Sequence, residues 1–425
     1  MESFTMHTAP ETSPQPPAER LPLGLAWLAL GAFAIGTESF MVAGLLPVLA
    51  ADLQVSAARA GQLVLLFALS YAIGSPLMAA LLARFGRRPL LIASLATFAG
   101  LTAAASMAHG IAQLALARIA LGLVAGVFLP TASAVAAAMV SPALRGRALA
   151  IVTGGGTVAV ALGVPLGAWI AGWGGWRTAY LLIAAVAALA TWGLCVGLPR
   201  TLAQAPAQDP ADLAPRASAF AVAREPGVAP ALLATVLWAT GGFSFYTYIA
   251  LFLGHTLGFG AEGVGAVFFA IGLAAALGTA TGGWATDRFG ADRMARGFAL
   301  ALVVIMGGLS FAAQMLPRGL ALPLIVGLST LWGFAGWGFG PAQAVRLIRL
   351  APDRAPMTLS LNASAVYLGI AAGSGLGGAT IAWFGVSAVG WVGAAAQLAG
   401  LVLLWRAARR ARSAAPAAST APACA

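Results

Sequence analysis

Apolar positions along this chain run on without alternating, and the charged residues stand between the runs like punctuation. Pro89 to Ala108, Thr178 to Leu198, Gly297 to Leu316 and Val386 to Trp405 carry no charge, and each reaches the roughly 20 residues that cross a bilayer as helix. A closed β-barrel is excluded, because its strands alternate apolar and polar residues over about 10 positions. An ionisable group in hydrocarbon is costly, so charges mark helix ends. They divide the chain into spans at about 23 to 50, 60 to 82, 89 to 108, 111 to 139, 148 to 174, 178 to 198, 228 to 254, 263 to 285, 297 to 316, 320 to 345, 356 to 383 and 386 to 405. The uncharged stretch between Arg354 and Arg406 is too long for one helix and folds back at Phe384-Gly385.

The expected fold is therefore an all-α integral membrane protein, twelve transmembrane helices in two six-helix pseudo-symmetric halves. The halves are residues 23–198 and 227–405, with a cytoplasmic N-terminal tail at 1–22, a Pro- and Ala-rich cytoplasmic linker at 199–226 and a C-terminal tail at 406–425. The halves echo one another. Arg84-Phe85-Gly86 after span 2 recurs as Arg288-Phe289-Gly290 after span 8, and Gly163-Val-Pro-Leu-Gly167 in span 5 is answered by Gly373-Ser-Gly-Leu-Gly377 in span 11. Nearly equal offsets are what a duplicated six-span unit leaves, the usual architecture of alternating-access carriers.

Composition agrees with the pattern: 60% of residues are hydrophobic and 8% charged, where a soluble chain carries about 25% charged residues. Charge then supplies orientation. All 23 basic residues are arginine. With the N-terminus inside, 19 of them fall in cytoplasmic segments and three, Arg59, Arg177 and Arg318, in outer loops, while Arg118 lies within a span. The positive-inside rule then puts both termini in the cytoplasm. The net charge of +11 faces anionic lipid, not nucleic acid. Cys195 within a span and Cys424 in the tail form no disulfide framework.

The absence of lysine removes whole function classes. A phosphate-loop ATPase and a retinal Schiff-base protein both require that residue. An enzyme site is not visible either, since only three histidines occur and no span carries two acidic residues. No cofactor or metal is expected.

Between spans 2 and 3 the chain reads Ala79-x-x-x-Ala83-Arg84-Phe85-Gly86-Arg87-Arg88, and after span 8 Gly283-x-x-x-Asp287-Arg288-Phe289-Gly290. Span 4 carries Arg118-x-x-x-Gly122-x-x-x-Gly126, span 5 Gly163-Val164-Pro165 with Gly167, and span 1 Gly36-Thr37-Glu38-Ser39-Phe40. From about residue 21 to 406 these motifs resemble the major facilitator superfamily, and within it the twelve-span drug/proton antiporters. The first signature departs from the family pattern, Gly-x-x-x-Asp-Arg-x-Gly-Arg-Arg, in lacking its leading Gly and its Asp. The second has both and replaces the basic pair with Ala291-Asp292. Span 5 departs by the residue between its Gly and Pro. The span 1 pattern, continued by Pro47 and Asp52-Leu53, is similar to bacterial exporters of phenicols, arabinose-related sugars and purine nucleosides. The resemblance implies a monomeric carrier of the bacterial inner membrane that exports a small organic compound in exchange for protons, with spans 1, 4, 7 and 10 around a central cavity.

Residue chemistry can be read beside that resemblance. Glu38 and Arg118 are ionisable and inside spans, so neither belongs in lipid. Burial raises a carboxyl's pKa and a nearby guanidinium lowers it, so rocking that changes their separation would load and release a proton. A permanent ion pair is the alternative. Tyr71, Tyr246, Tyr248, Gln343 and Asn362 offer hydrogen bonds to a substrate, or between helices. Gly122 with Gly126, and Gly163 with Gly167, lie one turn apart and allow close helix approach, either sliding or static. Arg84, Arg87 and Arg88 can clamp carbonyls at helix C-termini or simply anchor the inner leaflet. Direction and coupling are not written in these residues, so a proton-coupled importer and an uncoupled facilitator stay open.

Overall fold

The computed structural model describes residues 21–82, 84–199 and 221–414 of the 425. Most of both tails and most of the linker fall outside the described residues. Long apolar sequences here become long helices: α1 (Gly24–Asp52), α2 (Ala57–Leu82), α3 (Arg87–Ser106), α4 (Ile111–Ala138), α5 (Arg145–Val158) and α6 (Val164–Gly197) form the first half. The second half comprises α7 (Val228–Tyr246), α8 (Ile249–Leu257), α9 (Ala261–Phe289), α10 (Ala291–Met315), α11 (Arg318–Leu350), α12 (Ala355–Phe384) and α13 (Val389–Ala414).

These helices amount to twelve crossings. Span 5 is α5, one π-helical turn at Ala159–Gly163, and the first part of α6. Pro165 offers no N–H to the carbonyl four residues before it, and widening the turn accommodates the ring. At 34 residues, α6 would measure about 50 Å, too long for a bilayer core of about 30 Å. It reverses at Gly175, whose φ of 76° suits a residue without Cβ. Span 7 breaks at Thr247-Tyr248 into α7 and α8.

Several helices run past their expected ends, among them α10, which starts at Ala291, and α11, which ends at Leu350. Helix α9 runs on to Phe289, so Gly283, Asp287 and Arg288 ride on a helix and only Gly290, at φ 87°, makes the turn. Helix α13 continues past residue 405 to Ala414, because arginine is a good helix former once outside hydrocarbon.

The packing repeats between halves. The pairings α1 with α6, α2 with α4 and α3 with α6 are matched by α7 with α12, α9 with α11 and α10 with α13. The halves meet where α2 lies on α12 and α9 on α6. The outer surface carries many exposed large apolar side chains, among them Leu189, Trp192, Val304 and Trp383, the complexion of a lipid-facing wall. We call the side where α1 starts and α13 ends the terminal face, and the opposite side the far face.

Contacts between halves gather toward the far face. Leu46, Ala60 and Tyr248 form one buried cluster with Ile381 against it, joining α1 and α2 to α8 and α12. At Gly61 the approach is so close that a Cβ would lie 2.1 Å from the Tyr248 hydroxyl oxygen, so only glycine fits there.

Candidate functional site

Arg118 and Glu38 are both fully buried and paired, the guanidinium Nη1 donating to the carboxylate Oε1. The same nitrogen donates to the Glu38 backbone carbonyl at 3.2 Å, and Nε donates to the Leu63 carbonyl of α2, also at 3.2 Å. The guanidinium carbon stands 4.3 Å from the centre of the Phe67 ring, a cation–π contact one turn beyond Leu63. One side chain of α4 thereby grips α1 and α2.

The spacing Arg118-x-x-x-Gly122 explains how it reaches. A Cβ on Gly122 would fall 2.4 Å from the Phe67 carbonyl oxygen, so any larger residue would push α4 off α2 and lift Arg118 away from its partners. One turn on, the Ser75 hydroxyl donates to the Gly126 carbonyl at 3.0 Å. In span 5, a Cβ on Gly163 would collide with Thr37, which keeps the π-turn against α1 beside Glu38. Gly167 leaves ordinary room beside Met41. Among the described residues Glu38 Oε2, Arg118 Nη2, Thr37 Oγ1 and the Tyr180 hydroxyl are buried without a hydrogen-bond partner.

Phe67 also borders a narrow pocket with Ser39, Phe40, Phe243 and Tyr246. This pocket shares Phe40, Phe243 and Tyr367 with a cavity of about 140 Å³ that extends among Trp238, Trp332 and Trp337. Thus the ring that Arg118 touches also lines the space at the centre of the molecule.

The other sequence candidates divide. Tyr246 sits in the aromatic centre, 6.0 Å from Phe40 and 5.5 Å from Trp332 between ring centroids, and its hydroxyl is unpartnered among the described residues. Tyr71 stacks on Tyr367 across the halves, centroids 3.6 Å apart. Tyr248 is not in the cavity. Its hydroxyl donates to the Ser374 carbonyl at 2.9 Å in the far-face seam. Gln343 and Asn362 belong to a relay near the terminal face. There Arg346 Nη1 donates to Gln343 Oε1 at 2.6 Å, and Gln343 Nε2 donates to Thr235 Oγ1 at 2.9 Å and to the Ala231 carbonyl. Thr235 donates onward to Asn362 Oδ1 at 2.8 Å.

The relay ends on an acid that sequence reading had not chosen. Arg346 Nε donates to Asp292 Oδ1 at 2.7 Å, whereas Asp287 and Arg288 are exposed and make no ion pair among the described residues. In the loop before α3, Gly86 is extended and precedes the helix. Arg84 lies over the neighbouring Phe85 ring, Arg87 is half-buried, and Arg88 donates to the Cys195 and Leu198 carbonyls at the C-terminal end of α6. On the far face, Asp52 Oδ2 accepts from Trp176 Nε1 at 2.8 Å and Arg177 Nη1 at 2.7 Å. Those two bonds hold its carboxyl below the usual carboxylate value.

Phe67, Trp332, Asp292 and Arg346 are the residues that sequence reasoning passed over. Trp332 carried a signal, since it lies mid-span, where an interfacial anchor has no purpose. Phe67 carried none.

A sequence profile of the Major Facilitator Superfamily matches residues 28–355. The chain belongs to that superfamily. Among curated members it is 34% identical over 384 residues to the inner membrane transport protein YdhP of Escherichia coli K12, covering 90% of this chain and 95% of that protein. It is 31% identical over 353 residues to a chloramphenicol resistance protein of Streptomyces lividans, covering 83% and 88%. Two solved superfamily structures share the fold. A nucleoside transporter, NupG, has a TM-score of 0.71 at 14% identity over 91% of this chain and all of that one. A D-xylose–proton symporter has a TM-score of 0.70 at 18% identity over 90% and 96%. This superfamily member is accordingly a multi-pass membrane transporter and not an enzyme.

Proposed function

We propose that this transporter exports a small organic compound from the cytoplasm in exchange for protons, by alternating access in the bacterial inner membrane, acting as a monomer with its terminal face cytoplasmic. The observation that carries the reading is the buried Glu38–Arg118 pair. One carboxylate oxygen and one guanidinium nitrogen are unused, and Phe67, which Arg118 touches, also lines the central pocket.

A proton arriving at Glu38 Oε2 neutralises the carboxylate and leaves Arg118 as an uncompensated buried charge, which is strongly unfavourable. The guanidinium then seeks other acceptors, and its Phe67 and Leu63 contacts on α2 shift with it. Because α2 packs on α12 of the other half, motion of α2 alters the seam between halves. Occupation of the pocket and protonation of Glu38 act through the same ring, which is the requirement for exchange. Export as the direction is supported by the likeness to a drug-resistance protein.

The test is Glu38→Gln, which keeps shape and hydrogen bonding while abolishing titration. In proteoliposomes the parent should accumulate substrate against its gradient when a pH gradient is imposed, and the variant should only equilibrate it. Arg118→Ala should impair both binding and accumulation. Uphill transport by Glu38→Gln would defeat the coupling claim, and a parent that merely equilibrates substrate is an uncoupled facilitator.

A further inference from the structure

The cavity of about 140 Å³ lies beside the proton site and has its own chemistry. We propose that it seats one uncharged aromatic ring bearing a hydrogen-bond acceptor, with Trp332 Nε1 as the donor that reads the acceptor. This rests on the transport reading, and it names the class of compound carried.

Volume bounds the occupant first. Apolar cavities of about 150 Å³ hold a benzene-sized guest, so this conformation fits a single ring. Shape and chemistry come from Phe40, Trp238, Phe243, Trp332, Trp337 and Tyr367, whose faces and edges suit offset or edge-to-face contact with another ring.

Polarity then selects within that class. Trp332 is 2% exposed and its Nε1 has no partner among the described residues. A buried donor without an acceptor is a standing cost that a ligand acceptor removes. The indole is held in place: it stacks on Tyr246 at 5.5 Å and meets Trp337 edge-on at 5.7 Å. Its N–H borders the space left by Gly242, since a Cβ there would stand 3.7 Å from Nε1 and 3.4 Å from Cζ2. Gly242 also lines the cavity, so the indole edge that carries the N–H adjoins a wall with no side chain to block an acceptor.

Charge is excluded by what the wall lacks. Among the described residues no carboxylate lines the cavity, and the Glu38 carboxylate is engaged by Arg118. Ring faces attract cations, but a desolvated cation without a counter-charge is costly, so a neutral guest is preferred.

Three matched probes test this on the purified full chain by equilibrium binding: acetophenone, isopropylbenzene, which has the same shape without the acceptor, and benzylammonium. Acetophenone should bind tightest. Trp332→Phe should weaken acetophenone about 3- to 10-fold, the value of one hydrogen bond, and leave isopropylbenzene unchanged. Gly242→Ala, whose new methyl meets only ordinary contacts, should weaken both ring compounds and serves if Trp332→Phe does not fold. Equal binding of acetophenone and isopropylbenzene, tighter binding of benzylammonium, or indifference of both compounds to Gly242→Ala overturns the proposal. A separate arm asks whether acetophenone dissipates a pH gradient imposed on proteoliposomes. Binding without dissipation would sink the transport reading while the ring seat stands.

Discussion

At the scale of single residues, the molecule concentrates its ionic chemistry in a few side chains that each bind several elements. Arg118 is the buried example and Asp52 the surface one, its carboxylate tying α1 to Trp176 and Arg177 of α6. A carboxyl whose pKa the fold lowers contributes stability above its ordinary value, about 3.9, and that contribution disappears as pH falls through the lowered value. Asp52→Asn should therefore lower the thermal unfolding midpoint at pH 7, by about 2 °C or less because the pair is exposed. Parent and variant should converge once acid has protonated Asp52. A midpoint difference that persists unchanged into strong acid would show that the carboxylate charge is not involved. Glu38 and Arg118 were legible in the sequence because charge inside an apolar run needs a reason. Asp52 stood out only as part of the span 1 pattern, and its bonding was not legible, since an acid at a span end looks like any boundary residue until the fold brings Trp176 to it.

Among elements, the terminal-face relay shows a sequence motif that points to the turn while the acid making the ion pair lies two residues beyond it. The signature Gly283-x-x-x-Asp287-Arg288-x-Gly290 identifies the α9–α10 reversal, but the acid that pairs is Asp292, in the first turn of α10, because Gly290 turns the chain so that α10 faces Arg346. The relay Asp292, Arg346, Gln343, Thr235, Asn362 joins α10, α11, α7 and α12. Arg346→Ala would leave buried Gln343 Oε1 without its donor, a loss of about 1–3 kcal/mol. We expect Asp292→Asn and Arg346→Ala to reduce transport and thermal stability while Asp287→Asn behaves as the parent. The comparison is made by flux and unfolding midpoint in one membrane preparation. A normal Asp292→Asn with a defective Asp287→Asn would restore the motif's own acid to the central role. Gln343 and Asn362, offered by the sequence as substrate or interhelical contacts, make the interhelical kind, and periodicity alone could not say that their partners are one another's neighbours.

Over the whole molecule, twelve crossings were readable from apolar length and the positions of charge, and the repeat from motif offsets of 204 and 210 residues. The reversal at Gly175 was readable only as an interval between spans, because a glycine's φ is set by the chain around it. Orientation is the prediction at this scale: reporter fusions after Arg200 and after Arg412 should both report cytoplasm, and a periplasmic signal at either point would reverse the terminal and far faces. The placement of the two functional parts has a further consequence. The ionisable pair lies wholly within the first half, on α1 and α4, while the tryptophans around the cavity belong to α7 and α11 of the second. Under the proposed exchange neither half can work alone, and Phe67, which touches Arg118 and lines the pocket, lies at the junction. Linkage makes that junction reciprocal: whatever factor an occupant of the cavity imposes on proton binding at Glu38, a proton there must impose on the occupant. The protons released per molecule bound thus measure how tightly the two halves are joined.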